Sequence, residues 1–81
     1  MNGFLAVTMI TLYNGKVCAV FNRYSFYHHW RMKLGTRWTC TYGCKSYLVL
    51  SEEGKLIRAV EAHSHEPPEY RVLANSTFVK V

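Results

Sequence analysis

The chain has 81 residues, enough for one small domain and close to the size at which a hydrophobic core alone stabilises a fold only marginally. Hydrophobic residues make up 49% and aromatic residues 15%, which excludes a disordered chain, and frequent Val, Thr, Tyr, Phe and Trp favour strands over helices. The net charge of +5 suggests a polyanionic partner, nucleic acid first, although many small domains are basic without binding DNA.

The first predicted elements are two strands joined by a tight turn. The apolar stretch of residues 3–13 lacks a preceding Lys or Arg and a cleavage site, and it is too short to span a bilayer. We interpret it as a first strand or an N-terminal arm. Asn14-Gly15 is a strong hairpin signal between this stretch and the apolar run of residues 17–21. Cys18 in that run is expected to be a small buried hydrophobic residue.

The clearest alternation in the chain runs from Tyr24 to Lys33. Period-two spacing places one set of side chains on a buried face and the other on a wet, basic face. The first set is Tyr24, Phe26, His28, Trp30 and Met32, and the second is Ser25, Tyr27, His29, Arg31 and Lys33. We therefore expect Trp30 in the core. His28 and His29 fall on opposite faces, where they cannot easily share one metal ion.

Three further strands are predicted after a break at Gly35. They cover residues 37–42, 45–50 and 55–62. Gly43 makes the turn between the first two, and the composition of the last would also tolerate a helix. Together with the earlier segments, these strands predict an all-β fold.

The end of the predicted domain is marked by Pro67-Pro68, because consecutive prolines stop regular strand pairing. Residues 69–81 show little pattern and are either a short extra strand or a frayed tail. The predicted organisation is one domain that ends at these prolines, followed by a C-terminal tail over residues 69–81.

Two close pairs of Cys and His residues bracket a hairpin-length segment. Three residues separate Cys40 from Cys44, and a tight turn at Gly43 can bring both thiolates onto one ion. One residue separates His63 from His65, so on an extended strand both imidazoles point to the same side, roughly 6–7 Å apart. Zinc prefers four such nitrogen and sulfur ligands in a tetrahedron. The spacing predicts one structural Zn²⁺ in a β-type site, and it does not fit the helical ββα finger.

Other interpretations of these residues stay open at this point. The two pairs could be unconnected residues of a small domain. Three cysteines are a poor disulfide framework and favour a reducing compartment, but a small secreted protein with a Cys40–Cys44 disulfide is a minor alternative. The chain has no nucleophile elbow, phosphate loop or paired carboxylates, and four protein ligands leave zinc no open position, so we expect no enzymatic activity.

In combination, these motifs resemble the FLYWCH-type zinc finger. Leu12-Tyr13-Asn14-Gly15 resembles the early Leu-aromatic-x-Gly turn of that family. Trp38-Thr39-Cys40 matches its Trp-x-Cys element, Cys44-Lys45 its second Cys with the following basic residue, and residues 63–68 its His-x-His ending with trailing prolines. The gap between the two cysteines is shorter than is usual in the family and closer to that of the related WRKY zinc domains. Arg37 stands where the family often has an aromatic residue.

The resemblance covers residues 4–68 and implies a domain of that extent, a small zinc-stabilised antiparallel sheet of about four strands, with one ion bound by Cys40, Cys44, His63 and His65. It also implies a module that binds DNA or interacts with proteins in nuclear and chromatin proteins. We therefore expect a nuclear protein whose partner is double-stranded DNA or, alternatively, a chromatin protein. No membrane and no small-molecule substrate are expected.

Four basic residues are the predicted phosphate contacts: Arg31, Lys33, Arg37 and Lys45. The first two share a predicted strand face, and the related WRKY domains use a strand of this region to enter the major groove. An equally simple interpretation is a solvated face, because Lys and Arg side chains prefer water. Trp38 is expected to pack in the core beside the metal.

Overall fold

The computed structural model describes residues 7–81, and these residues form an all-β fold as predicted. Six antiparallel strands make one curled sheet in chain order, where about four were expected. They are β1 (Thr8–Thr11), β2 (Val17–Phe21), β3 (Tyr24–Arg31), β4 (Thr36–Cys40), β5 (Tyr47–Leu50) and β6 (Leu56–Val60). A second sheet of two strands holds β7 (Tyr70–Val72) and β8 (Phe78–Lys80). Residues 3–6 of the predicted first element, and with them the start of the predicted domain, lie outside the described residues.

Two tight turns set the register of the first three strands. Gly15 has a φ of 88°, and Asn14 Oδ1 accepts a hydrogen bond of 3.1 Å from the Lys16 amide, which confirms the predicted Asn-Gly turn. The next turn consists of Asn22 and Arg23, both left-handed, with φ values of 52° and 76°. No sequence signal predicts this second turn, since Arg is not a typical residue for positive φ.

A bulge in β3 changes the predicted alternation. His28 lies opposite Trp38, but Trp30 lies opposite Arg37, so His29 is an extra residue in the strand. Beyond the bulge, Trp30 and Arg31 therefore lie on the faces opposite to the predicted ones. The prediction that Trp30 belongs to the core is wrong: it is 47% exposed, on the same face as Arg37.

The hydrophobic core lies on one side of the curled sheet, which we call the core face. Its buried side chains come from β2 to β5 and are Ala19, Phe21, Phe26, Cys40, Leu48 and Leu50. Trp38 and Cys44 are partly buried and pack against this cluster, as expected for Trp38. Because Cys40 belongs to the core, the core is continuous with the predicted metal site.

The opposite side of the sheet, which we call the outer face, is partly covered by the β7–β8 hairpin. The Tyr70 hydroxyl donates a 2.9 Å hydrogen bond to Ser25 Oγ, which also shares a 2.8 Å hydrogen bond with the Thr41 hydroxyl. The Tyr13 amide donates to the Phe78 carbonyl at 2.8 Å. Most of residues 69–81 therefore form a hairpin that contacts the first sheet through side-chain and backbone hydrogen bonds.

The two tryptophans should differ sharply in their effect on stability. We expect Trp38→Ala to lower the free energy of unfolding by about 3 kcal/mol, because it removes a large side chain packed on the core. We expect Trp30→Ala to cost less than about 1 kcal/mol, since its exposed ring loses mainly a cation–π contact. Urea denaturation of both variants measures the difference, and equal costs would contradict the bulge.

Candidate metal centre

The four predicted ligands meet at one end of the sheet. Cys40 is the last residue of β4, and Cys44 follows in the next turn. His63 and His65 follow the end of β6. Because β4 and β6 both run antiparallel to β5, their carboxyl ends lie on either side of the start of β5. The topology therefore brings the two pairs together.

Local backbone geometry aims each pair at a common point. Gly43 has a φ of 78°, and its amide donates to the Cys40 carbonyl at 2.9 Å, so the chain reverses between the two cysteines as predicted. The histidines were expected on an extended strand, but they lie beyond β6 in a segment without regular strand pairing. Both still point to the site, but through different atoms: His63 through Nδ1 and His65 through Nε2.

The distances between the ligand atoms match a tetrahedral ion. Cys40 Sγ lies 3.2 Å from His65 Nε2 and 3.8 Å from His63 Nδ1, and Cys44 Sγ lies 3.4 Å from the same Nδ1. Zinc–sulfur and zinc–nitrogen bonds of about 2.3 and 2.0 Å at tetrahedral angles would separate sulfur from nitrogen by about 3.5 Å. All four ligand atoms lie within 4.8 Å of one another. The four side chains are positioned to bind one metal ion.

Hydrogen bonds and stacking fix the two imidazoles. His65 Nδ1 lies 2.8 Å from the Glu66 carbonyl, and donation of its proton there leaves the Nε2 lone pair for a metal. The Tyr24 ring stacks on His63 at 3.4 Å between centroids and 7° between planes. Tyr42 stacks on His65 at 4.4 Å and 21°. No local sequence pattern marks either tyrosine, because only the folded chain brings them onto the histidines.

Ser46 connects the two halves of the site. It is fully buried, and its Oγ accepts a 2.7 Å hydrogen bond from the amide of Ala62, the residue before His63. The Ser46 hydroxyl and amide also donate to the Cys44 sulfur. Burial opposes ionisation of Cys44, but the hydrogen bonds from Ser46, together with those from Cys40 and His65, outweigh it and lower the pKa of the thiol to about 5.

Cys40 differs from Cys44 in its electrostatic environment. Burial in the core raises the pKa of the Cys40 thiol, and the neighbouring Cys44 adds to the increase. The Cys44 sulfur can therefore bind a metal as a thiolate near neutral pH. The Cys40 thiol loses its proton when a cation binds, so metal binding releases one proton from the site.

The four predicted phosphate contacts do not form one group. Arg31 is exposed and forms a 2.9 Å ion pair with Glu52. Arg37 is half-buried on the outer face, whereas Arg31 lies opposite Thr36 and therefore on the core side. Lys33 is exposed in the β3–β4 turn, and Lys45 is exposed beside Cys44. Their role in binding nucleic acid stays a prediction.

Comparison of the chain with protein-family models, with curated proteins and with solved structures gives no match. The FLYWCH-type resemblance therefore rests on its sequence motifs alone. No helix among residues 7–81 is long and apolar enough to cross a membrane.

Removal of the Ser46 hydroxyl should weaken the metal site without removing a ligand. We expect Ser46→Ala to lower metal affinity about 10–100-fold, because the Cys44 thiolate and the Ala62 amide lose a shared partner. We also expect a loss of about 1–3 kcal/mol in the free energy of unfolding. Competition with a coloured chelator measures the affinity.

The matched control for this variant is Ser64→Ala, since Ser64 is exposed and stands between the two histidines. Equal metal affinities of the Ser46 and Ser64 variants would show that the buried hydroxyl does not support the site.

Proposed function

We propose that this chain is a structural zinc domain that acts as a nuclear DNA-binding module. The observation that carries the zinc assignment is the convergence of Cys40, Cys44, His63 and His65 on a point at tetrahedral spacing. Two thiolates and two imidazoles in a tetrahedron are the donor set that zinc prefers. Four protein ligands leave no open coordination position, which supports a structural role and not a catalytic one.

The position of the site supports a role for zinc in folding. The ligands join the end of β4 to the segment after β6, and Cys40 is also a core residue. Apparent zinc-binding free energies of about 10–16 kcal/mol in zinc-finger peptides are comparable with the whole stability of a typical domain, roughly 5–15 kcal/mol. Loss of the ion would therefore remove most of the stability of so small a fold.

We expect the purified protein to contain one zinc ion per chain and to unfold on chelation. Elemental analysis and a thermal melt followed by circular dichroism measure both. Cys44→Ser and His63→Ala should have the same effect as the chelator, whereas His29→Ala, which changes a histidine outside the site, should leave the zinc content unchanged. A melting curve that chelation does not alter would refute the structural zinc.

The excess of positive charge supports DNA as the partner. The chain carries a net charge of +5, and the Arg31–Glu52 pair is the one salt bridge found among residues 7–81. Lys33 and Lys45 are exposed, and Lys45 lies next to the metal site, where a bound ion would hold its segment in place. Fixed positive charges on an ordered segment attract phosphates and release counterions. The nuclear location is part of the same proposal and rests on the FLYWCH-type resemblance.

Binding of the zinc-loaded protein to duplex DNA should weaken steeply between about 50 and 200 mM salt. We expect Lys33→Ala combined with Lys45→Ala to reduce the slope of log affinity against log salt by about 2, since each lysine neutralises about one phosphate. Fluorescence anisotropy measures the slope, and Lys16→Ala with Lys55→Ala is the control of equal charge. Absence of binding at low salt would refute the proposal.

The second candidate is a protein-interaction module, and exposed apolar side chains in the β3–β4 turn favour it. Leu34 is 79% exposed and Met32 is 40% exposed. A chromatin partner docked there would lose affinity on Leu34→Ala, and it would bind equally well to the wild-type protein and to a Lys45→Ala variant, whose substitution lies beside the metal site. DNA binding through phosphates would not survive that change undiminished.

A further inference from the structure

The outer face of the sheet carries a group of aromatic and basic side chains that neither the core nor the metal site uses. We call this group the aromatic face, and it consists of Tyr27, His29, Trp30, Arg37 and Tyr47. Strand register places the group on one side, because Tyr27 and Tyr47 both lie opposite Thr39, and Trp30 lies opposite Arg37. Tyr27 is 42% exposed and Trp30 is 47% exposed.

These side chains form a continuous surface. The ring centroids of His29 and Trp30 are 4.1 Å apart, and those of Tyr27 and His29 are 6.0 Å apart. The Arg37 guanidinium carbon lies 5.2 Å from the Trp30 centroid and 3.8 Å from the Tyr47 centroid. Arg37 therefore connects the rings of β3 to the ring of β5 by cation–π contacts.

Two structural features keep this surface open to solvent. The β3 bulge moves Trp30 out of the core and onto the outer face, as bulges near binding sites often do. The β7–β8 hairpin covers the end of the outer face near Ser25, where Tyr70 donates its hydrogen bond, but Tyr27 and Trp30 stay exposed.

The buried Nε of Arg37 has no hydrogen-bond partner among residues 7–81.

The charge of this face selects an anionic ligand. Strands β3 to β6 contain no Asp or Glu. Arg58 is exposed and lies on the outer face in the same cross-strand row as Arg37, with Val49 between them. A row of two arginines beside exposed rings fits a ligand that alternates flat apolar groups with negative charges.

We propose that the aromatic face binds single-stranded DNA, with bases stacked on Trp30 and Tyr27 and phosphates held by Arg37 and Arg58. Unpaired bases expose the flat surfaces that exposed rings can cover, whereas bases within a duplex already stack on each other. This proposal rests on the DNA-binding part of the proposed function.

The test is a titration of the full zinc-loaded chain with a labelled thymidine oligonucleotide of about ten nucleotides, within the usual site size of such proteins. We expect Trp30→Ala and Tyr27→Ala each to weaken binding about tenfold, which is typical of the loss of one stacked base. Tyr13→Ala is the matched control, since Tyr13 is 65% exposed in the β1–β2 turn and lies outside the aromatic face. It should bind as the wild type does.

Tryptophan fluorescence gives an independent readout. A base stacked on Trp30 should quench its emission, and Trp30→Phe should keep most of the affinity while it loses the quenching. Zinc content and melting temperature verify that each variant is folded, as the exposure of Trp30 leads us to expect. Arg58→Ala should lower the salt slope by about 1, because one phosphate contact is lost.

Each alternative gives a different result. Unchanged oligonucleotide affinity in folded Trp30→Ala and Tyr27→Ala variants would overturn the inference, and duplex binding in the same samples would leave the proposed function intact. Tighter binding of oligouridylate than of oligothymidylate would overturn the choice of DNA. Displacement of the oligonucleotide by polyglutamate at equal charge concentration would show that charge alone binds, and it would overturn the role of the rings. A zinc-loaded protein that binds neither single strand nor duplex would refute both proposals.

Discussion

Two sulfur and two nitrogen atoms converge at one end of the sheet, at distances that suit a bound metal ion. Cys40 and Cys44 flank a tight turn, whereas His63 and His65 follow β6. The approach of the two histidines to the two cysteines therefore closes a long loop of the chain. Closing such a loop costs conformational entropy, and a small core has little free energy to offset it. A metal ion bound by all four residues would supply that free energy, because its binding is coupled to folding.

The core and the metal site depend on each other through shared residues. Cys40 belongs to the buried cluster and to the ligand set, and Phe26, a core residue, approaches the His63 ring to 5.8 Å between centroids. Ser46 hydrogen-bonds to both halves of the site from a fully buried position. A change in core packing would therefore move a ligand, and loss of a ligand would loosen the core.

The side chains on the two faces of the sheet differ in character because of one irregularity in β3. Upstream of the bulge, β3 directs Phe26 into the core and Tyr27 outward, as the alternation predicts. Downstream, the extra residue His29 reverses the alternation and brings Trp30 to the side of Arg37. The face opposite the core thereby gains an exposed ring beside a guanidinium group.

The sequence by itself determined the all-β class, the Asn14-Gly15 turn and the four candidate ligands, because period-two spacing, turn residues and short Cys and His spacings are local properties of the chain. Only the tertiary structure decided the bulge at His29 and the hydrogen bonds of Ser46. It also decided which nitrogen of His63 and His65 faces the site and which tyrosine covers each ring. These features depend on the partner strand and on packing between residues far apart in the chain, and no local pattern encodes such contacts. The positions of Arg31 and Arg37 on opposite faces follow from the same long-range pairing.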